Sequence, residues 1–402
     1  MRKDYLNRRR FMGTLGMATA AVAVTPSLTF GSRLSDRKVR TGIVGGGFGT
    51  GFYFNEHPNC IVEAVSDLRP ERRSRLMEVY SCKKSYESLE VLLKDPKIEA
   101  VFIATGATDH ARHVMQALQA GKHVLCAVPL ALSMEDCMKV AETVKRSGLN
   151  YMMAETSTYR QEVITARKLF RNGDFGNIFS SSGQYYHPGL EELYFEQGKP
   201  TWRHGLPPML YPTHVTSMLI SVTGERLATA SCVGWGDGSP ILKDNPYQNP
   251  FWNETAFFKT NQGNAFYGEV CWRGALAHCE RGDWRGDKMS FYMGYKDTGV
   301  HQVITTSKSK KDDGGFEVSD VKMEPYAQEK WYETGMLPEP MRHNSGHGGS
   351  HGFITNEFIN SVVENRNPEI DIAEAWAYTV PGIIAHASAL KGGETMKIPD
   401  LG

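Results

Sequence analysis

Short apolar runs alternate with amphipathic stretches from residue 38 to about residue 150. Residues 38–44 read as a short buried strand, and 61–65, 100–104 and 123–126 are short apolar runs, which predicts strands covered on both faces. Between them, residues 70–80, 86–94 and 108–120 carry the helical period. Ser133 predicts an N-cap with Asp136 at the third helical position, and residues 149–153 read as a last strand. This alternation predicts a βαβ series and a parallel sheet, a Rossmann domain over residues 38–157. From Tyr159 the texture changes. A helix over 159–170 and a turn over 171–176 lead into longer aromatic runs at 178–186, 228–234, 253–259 and 265–272. These predict a large, mostly antiparallel sheet in an α+β domain over 158–390. Residues 306–350 are polar and glycine-rich and predict a long surface connection. Helices over 353–365 and 372–390 close the domain before a tail at 391–402. The fold class is therefore α/β, a Rossmann domain joined to an α+β domain.

The first 32 residues differ in kind. Asn7-Arg8-Arg9-Arg10-Phe11-Met12 precedes a weakly apolar run over 13–24, with Ala21-Val22-Ala23 as a cleavage site. That is the pattern of a twin-arginine export signal, and it predicts a periplasmic or secreted protein. The run is too short to span a bilayer comfortably, so no stable membrane anchor is expected. The 402 residues suit two domains, and 45 basic residues balance 45 acidic ones. No basic excess points to nucleic acid. Seven cysteines without a CxxC pair describe neither a disulfide framework nor a zinc site. Buried free thiols are expected, with Cys271 and Cys279 the nearest candidates for a bridge.

The glycine run that follows the first strand changes the picture most. Gly45 permits a tight turn, Gly47 lets backbone N–H groups approach a pyrophosphate, and Phe48 and Gly49 complete the loop. Thr50 stands where a third small residue is usual, Gly51 keeps close packing possible, and a helix is expected to begin near Phe52. Asp67, about twenty residues on, is at the distance that places an acid on the ribose hydroxyls of NAD. Arg69 beside it leaves room for NADP. Further along, Tyr185 and His187 alternate on one face of a strand, as a buried hydrogen-bonded pair or as chemistry. Tyr211-Pro212-Thr213-His214 reads as a helix start capped by Thr213. His343, His347 and His351 recur every fourth residue, as metal ligands on a helix would, but Gly346, Gly348 and Gly349 oppose a helix there. No metal is expected, and His347 is read as a substrate contact.

The series ending in Ile103-Ala104-Thr105, with His110 and then Gly121-Lys122-His123-Val124-Leu125-Cys126-Ala127-Val128-Pro129, resembles the Gfo/Idh/MocA oxidoreductases. Sugar dehydrogenases of that family read Glu-Lys-Pro where Ala127-Val128-Pro129 stands, and neither Ala127 nor Val128 can transfer a proton. Tyr185-Tyr186-His187, Trp202-Arg203, Tyr211-Pro212-Thr213-His214 and Gly346-His347-Gly348-Gly349 resemble the NAD-dependent glycoside hydrolase branch, which contains the α-N-acetylgalactosaminidases. Gln184, Pro188 and Ser350-His351 depart from it, the last pair standing for Met-Asp. The resemblance implies cofactor contacts at Thr105, His110, Ala127 and Glu155. It also implies a carbohydrate substrate cleaved by transient C3 oxidation, elimination and water addition, and a homo-oligomer paired through the second sheet. Within it, Tyr185 is expected as the base at C2, with His214 and Tyr211 at the C3 hydroxyl. His187, counted with them as catalytic, and Arg203 are expected to bind or polarise substrate, and Trp202 and His347 to bind it. The rival expectations are a sugar dehydrogenase or 3-keto-sugar oxidoreductase, and a non-catalytic sugar-binding homologue.

Overall fold

The apolar runs of the first half form a six-stranded parallel sheet. The computed structural model describes residues 36–295, 299–306, 310–311, 313–315, 317–318 and 320–401, so the expected export signal lies outside the described residues. Strands β1 (Val39–Val44), β2 (Cys60–Ser66), β3 (Ser85–Tyr86), β4 (Ala100–Ile103), β5 (His123–Cys126) and β6 (Tyr151–Met153) lie in the order β3-β2-β1-β4-β5-β6. Helices α1 (Pro70–Val79), α2 (Leu89–Leu92), α3 (His110–Gln119) and α4 (Met134–Ser147) cover it. Ser133 caps α4 as expected, its side chain accepting from the Asp136 N–H. Only one turn of the helix expected over 86–94 forms.

The helix expected near Phe52 is absent. Two 3-10 turns, Phe48–Gly51 and Phe54–Glu56, replace it, with Tyr53 at φ 54° between them. Five glycines between residues 45 and 51 each disfavour a helix by about 1 kcal/mol. Phe52 and Phe54, both fully buried, pin the irregular segment against Phe102 with ring centroids 4.5 and 5.6 Å away.

In the second half, β7 (Ile178–Tyr186) leads to a hairpin of β8 (Phe195–Glu196) and β9 (Lys199–Pro200). Then follow β10 (Leu227–Trp235), β11 (Asn253–Thr260), β12 (Ala265–Cys271), β13 (Cys279–Gly286), β14 (Met289–Tyr292) and β15 (His301–Thr306). A small ribbon of β16 (Lys310–Lys311) and β17 (Glu317–Val318) precedes β18 (Val321–Tyr326), and β19 (Met396–Lys397) comes from the tail. Nine of these make one sheet, β18-β15-β14-β13-β7-β12-β11-β10-β19. The β7/β12 contact is parallel and the other neighbours are antiparallel. The four expected strands are its middle. The segment 306–350 is not merely a surface connection, because β18 pairs with β15 and Trp331, Leu337 and Met341 are buried. Its apolar anchors are spaced too widely to show a period. The tail likewise adds an edge strand to β10.

Helices α5 (Gln161–Asn172), α6 (Thr213–Thr223), α7 (Ser350–Val363) and α8 (Ile372–Leu390) pack between and beside the sheets. Gly268 and Gly282 stand opposite Gly183 on either side, so three glycines form one row across β12, β7 and β13. Helix α6 lies on that row: a Cβ at Gly183 would come 2.6 Å from the Val215 carbonyl oxygen, and one at Gly282 would come 3.2 Å from Met218. Cys271 and Cys279 both face Tyr186 from opposite flanks of β7. Two strand spacings, roughly 9–10 Å, separate them. That exceeds disulfide reach, and all seven thiols are free and buried.

Asp371 caps α8 by accepting from the N–H groups of Ala373 and Glu374 at 2.9 and 3.2 Å. Asp371→Ala should cost about 1–2 kcal/mol, read as a lowered urea midpoint with an unchanged slope.

Candidate active site

The glycine row brings the first turn of α6 down onto β7, and this sets His214 against Tyr185 with ring centroids 4.6 Å apart. Tyr211, just before the helix, lies 6.2 Å from Tyr185 and 5.4 Å from His214. Pro212 rather than Thr213 is the N-cap residue, so the expected Thr213 cap is not formed. Proline fixes the backbone there, and Thr213 turns inward and is fully buried. His187 is 6.3 Å from Tyr185, and Trp272 closes the wall behind Tyr185 with an edge contact at 5.8 Å. Gln184 points to the other face of the sheet, where it bonds Tyr186, Glu269 and Arg281. The departure from the branch pattern at that position is therefore away from this cluster.

Behind His214 stands a buried array whose members lie too far apart in the chain for any motif to join them. His214 Nδ1 lies 2.7 Å from Glu155 Oε1 and 3.2 Å from Ser157 Oγ. The Ser157 hydroxyl donates to Glu280, which β13 places directly opposite Tyr185 in register. Arg160 reaches the other oxygen of Glu280 at 3.5 Å. Burial would push the Glu280 carboxyl up, but Arg160, His214, His347 and the Ser157 hydroxyl outweigh it and hold it at about 2. Burial likewise works to lower His214, yet Glu155 lifts its pKa above the ordinary value. Tyr185 is raised well above a free phenol by burial, with Tyr211, Glu280 and Glu155 adding to the rise and Arg203 opposing it. Tyr211 is pushed up to about 12 by burial. Both phenols are therefore neutral in the resting site. The one signal for Glu280 was its spacing from Trp284 on a charged strand, which periodicity alone does not separate from a solvated hairpin. Glu155, His214 and Glu280 offer ligand atoms within 4.8 Å of one another and could take a cation. The bonds among them are those of a carboxylate–imidazole array.

The glycine loop opens on a groove of about 450 Å³ lined by Gly45, Gly47, Phe48, Asp67, Arg69, Thr105, Trp202 and Arg203. A Cβ at Gly45, where φ is 102°, would sit 2.3 Å from the Ala104 carbonyl oxygen. At Gly47 the nearest atom would be Arg72 Nη1 at 3.8 Å, so the missing side chain there leaves room in the groove itself. Asp67 accepts from the Gly46 N–H at 2.7 Å, which aims the carboxylate along the loop. The cradle fits a dinucleotide. Arg69 pairs with Glu196 of the β8/β9 hairpin at the rim. Gly49 is buried beneath the loop, near Ala104 and Ile43. His110 does not line the groove: it is buried between the Pro129 and Thr105 carbonyl oxygens at 2.8 and 3.2 Å, and so ties the ends of β4 and β5 together. His113, bonded to Thr105 Oγ1 at 2.9 Å, faces the groove in its place. Ala127 is buried at the end of β5. Glu155, fully buried, spends one oxygen on His214 and the Ser157 N–H. The Arg203 guanidinium lies 4.1 Å over the Trp202 ring, joining groove and tyrosine cluster.

The three spaced histidines do not converge. His343 bonds Glu56 at 2.6 Å, whereas His347 and His351 bond one another. Gly346, Gly348 and Gly349 all have positive φ, so no helix runs from His343 to His351 and α7 begins only at Ser350.

Residues 39–155 match the oxidoreductase family, NAD-binding Rossmann fold (Gfo/Idh/MocA), and residues 295–402 match the glycosyl hydrolase 109 C-terminal domain. The chain thus joins a Gfo/Idh/MocA-type NAD-binding domain to a glycosyl hydrolase 109 C-terminal domain. A glycosyl hydrolase family 109 protein of Streptomyces coelicolor is 24% identical over 397 residues, covering 89% of this chain and 80% of its own. Another, of Shewanella pealeana, is 22% identical and covers 98% and 96%. The 2,7-anhydro-N-acetylneuraminate hydratase of Escherichia coli is 32% identical over 145 residues, 35% of this chain and 38% of its own. Among solved structures, levoglucosan dehydrogenase in complex with NADH and levoglucosan superposes with a TM-score of 0.72 at 19% identity, covering 90% of this chain and 100% of that one. That likeness shows the fold. The cofactor of this domain is NAD, and the groove at the glycine loop is where the Rossmann domain would hold it.

Two alanine substitutions separate folding from binding in this cradle. Gly45→Ala forces a carbonyl clash and should cost at least about 1–3 kcal/mol, seen as a lowered Tm. Gly47→Ala should leave Tm unchanged and weaken NAD at least about tenfold in a binding titration, because its methyl occupies the groove alone.

Proposed function

We propose that the protein is an exported NAD-dependent glycosidase that cleaves its substrate through transient oxidation at C3, elimination and water addition. The observation that carries the reading is the composition of the proton-handling site beside the cofactor groove. It holds two tyrosines and an imidazole backed by two carboxylates, while buried Ala127 and Val128 stand where the dehydrogenases of the resembled family carry glutamate and lysine. The glycosyl hydrolase 109 domain and relatives support the same branch.

NAD, when bound, supplies a hydride acceptor that later returns the hydride. The protein must move protons around it. Glu155 fixes Nδ1 of His214 and stabilises its cationic form, as a carboxylate does for a catalytic imidazole, so Nε2 of neutral His214 can take the proton of the C3 hydroxyl. Tyr211 hydrogen-bonds that hydroxyl. Tyr185 exchanges the proton at C2. Its phenol starts protonated, and His214, in ring contact, can take that proton once it has passed the C3 proton on to solvent. Arg203, which opposes the rise of the Tyr185 pKa, stabilises negative charge developing on the substrate. His187 and Trp202 hold the sugar. The same His214–Glu155 pair would serve a net sugar dehydrogenase, and the fold neighbours include dehydrogenases. Export through the twin-arginine signal and self-association belong to the proposal and are tested by cell fractionation and light scattering.

Incubated with aryl glycosides in deuterated water, the protein should release aglycone, place deuterium at C2 and accumulate no NADH. Stoichiometric NADH and a keto-sugar would make it a dehydrogenase. Tyr185→Phe should lower deuterium exchange by about 10²–10⁴-fold while NAD stays bound.

The base form of His214 appears as pH rises through its raised pKa. The kcat/KM profile should therefore show an acid limb above 6.5, the ordinary imidazole value. Glu155→Gln removes the stabilising charge and should move that limb to lower pH.

A further inference from the structure

A short chain of hydrogen bonds joins the glycine loop to His347. His351 Nδ1 lies 2.8 Å from the Gly51 carbonyl oxygen, and His351 Nε2 lies 2.8 Å from His347 Nδ1. A carbonyl oxygen only accepts, so the hydrogen of the first bond belongs to His351 Nδ1. Burial, with His347 beside it, lowers the His351 pKa to about 4, so at neutral pH the ring carries that one proton and Nε2 is a lone pair. His347 must then donate from Nδ1. Neutral His347 consequently carries no proton on Nε2, and no described residue bonds that atom.

The slot for the His351 ring is shaped for this task. The ring stacks on Phe52 with centroids 4.1 Å apart and planes within 6°. A Cβ at Gly51 or Gly346 would come 3.1 or 2.9 Å from its Nδ1. His347 itself sits at φ 43°, between Gly346 at 85° and Gly348 at 69°. A non-glycine residue there costs about 1 kcal/mol or more and persists only where its surroundings dictate it. The charged and titratable groups facing His347 are Glu280, Glu155, His214, Arg160 and His351, with Phe48 edge-on at 5.9 Å. His347 is an exposed residue whose part-buried ring lies next to the buried array.

We propose that His351 is a positioning residue that fixes His347 as the Nδ1–H tautomer, so that a bare Nε2 meets the substrate and accepts a hydrogen bond from one of its hydroxyl groups. The carbohydrate as substrate rests on the reading above, whereas the tautomer does not. An aspartate at 351, the residue of the resembled branch, would place a negative charge on Nδ1–H and favour the imidazolium. Histidine makes His347 an acceptor where aspartate would make it a cation.

Nitrogen NMR of the full chain labelled at histidine tests this, with His347→Gln identifying the signal. At pH 7 the His347 Nε2 should show the shift of a non-protonated ring nitrogen. In His351→Asp both nitrogens should carry protons at the same pH. His351→Gln, whose amide oxygen can accept in place of Nε2, should keep the wild-type tautomer and most of kcat/KM. His351→Leu should lose the fixed tautomer and lower kcat/KM about 10²-fold with NAD retained. A protonated Nε2 in the wild-type protein, or a tautomer and pH profile unchanged in His351→Leu, would overturn the proposal. The tautomer found as described in a protein that cleaves no glycoside would sink the glycosidase reading and leave the relay standing.

Discussion

Helix α6 rests on the second sheet where three glycines stand side by side in adjacent strands, and the site depends on that close approach. A methyl group at Gly183 would press into the backbone of Val215, and side chains at Gly268 and Gly282 would meet Val215 and Met218. With the row open, the helix descends until His214 touches Tyr185. Interiors are packed densely enough that a single added carbon in such a contact displaces the whole helix. The same approach brings Tyr211, at the turn before the helix, over the tyrosine of the strand. What looks like a property of a few side chains in the candidate site is therefore a property of helix-on-sheet packing.

That packing also creates an electrostatic problem, which the buried array resolves. Two carboxylates and an imidazole lie together out of water, an arrangement that is unfavourable unless each charge is paired and hydrogen-bonded. Glu155 comes from the end of the Rossmann domain, Glu280 from the second sheet, and Arg160 and Ser157 from the segment joining the two. The array thus ties both domains to one imidazole. Two of its members are set by their neighbours: Glu280 is held low by cations and by the Ser157 hydroxyl, His214 is held high by Glu155. Perturbed groups coupled in this way beside a groove are the usual mark of a reactive site.

The glycine loop has two duties of the same kind. Its backbone shapes the cofactor cradle, and the carbonyl of Gly51 orients His351. Because this loop folds as two 3-10 turns and not as a helix, the Gly51 carbonyl is available to an imidazole from α7 instead of being spent inside a helical ladder. The departure from the helix expected near Phe52 is what lets the nucleotide-binding loop reach across to the substrate side.

The sequence by itself determined the two-domain order, the parallel sheet, the middle of the second sheet and the class of the cofactor, a nicotinamide dinucleotide. Those features rest on local signals: short, largely apolar runs, the N-cap at Ser133, glycines at loop spacing and an acid one strand later. It also named Tyr185, Tyr211 and His214 through a resemblance carried by short motifs. Tertiary structure alone decided the rest. The charged strand β13 became a strand because Trp284 and Gly282 pack under α6, and only that pairing sets Glu280 beside Tyr185. His110 turned from the groove to clasp two carbonyl oxygens, and His343 parted from its spaced companions to meet Glu56. Periodicity reports which face of an element is apolar. It carries no information about which distant element will cover that face, and proton positions such as those on His347 and His351 are settled by the partner that arrives there.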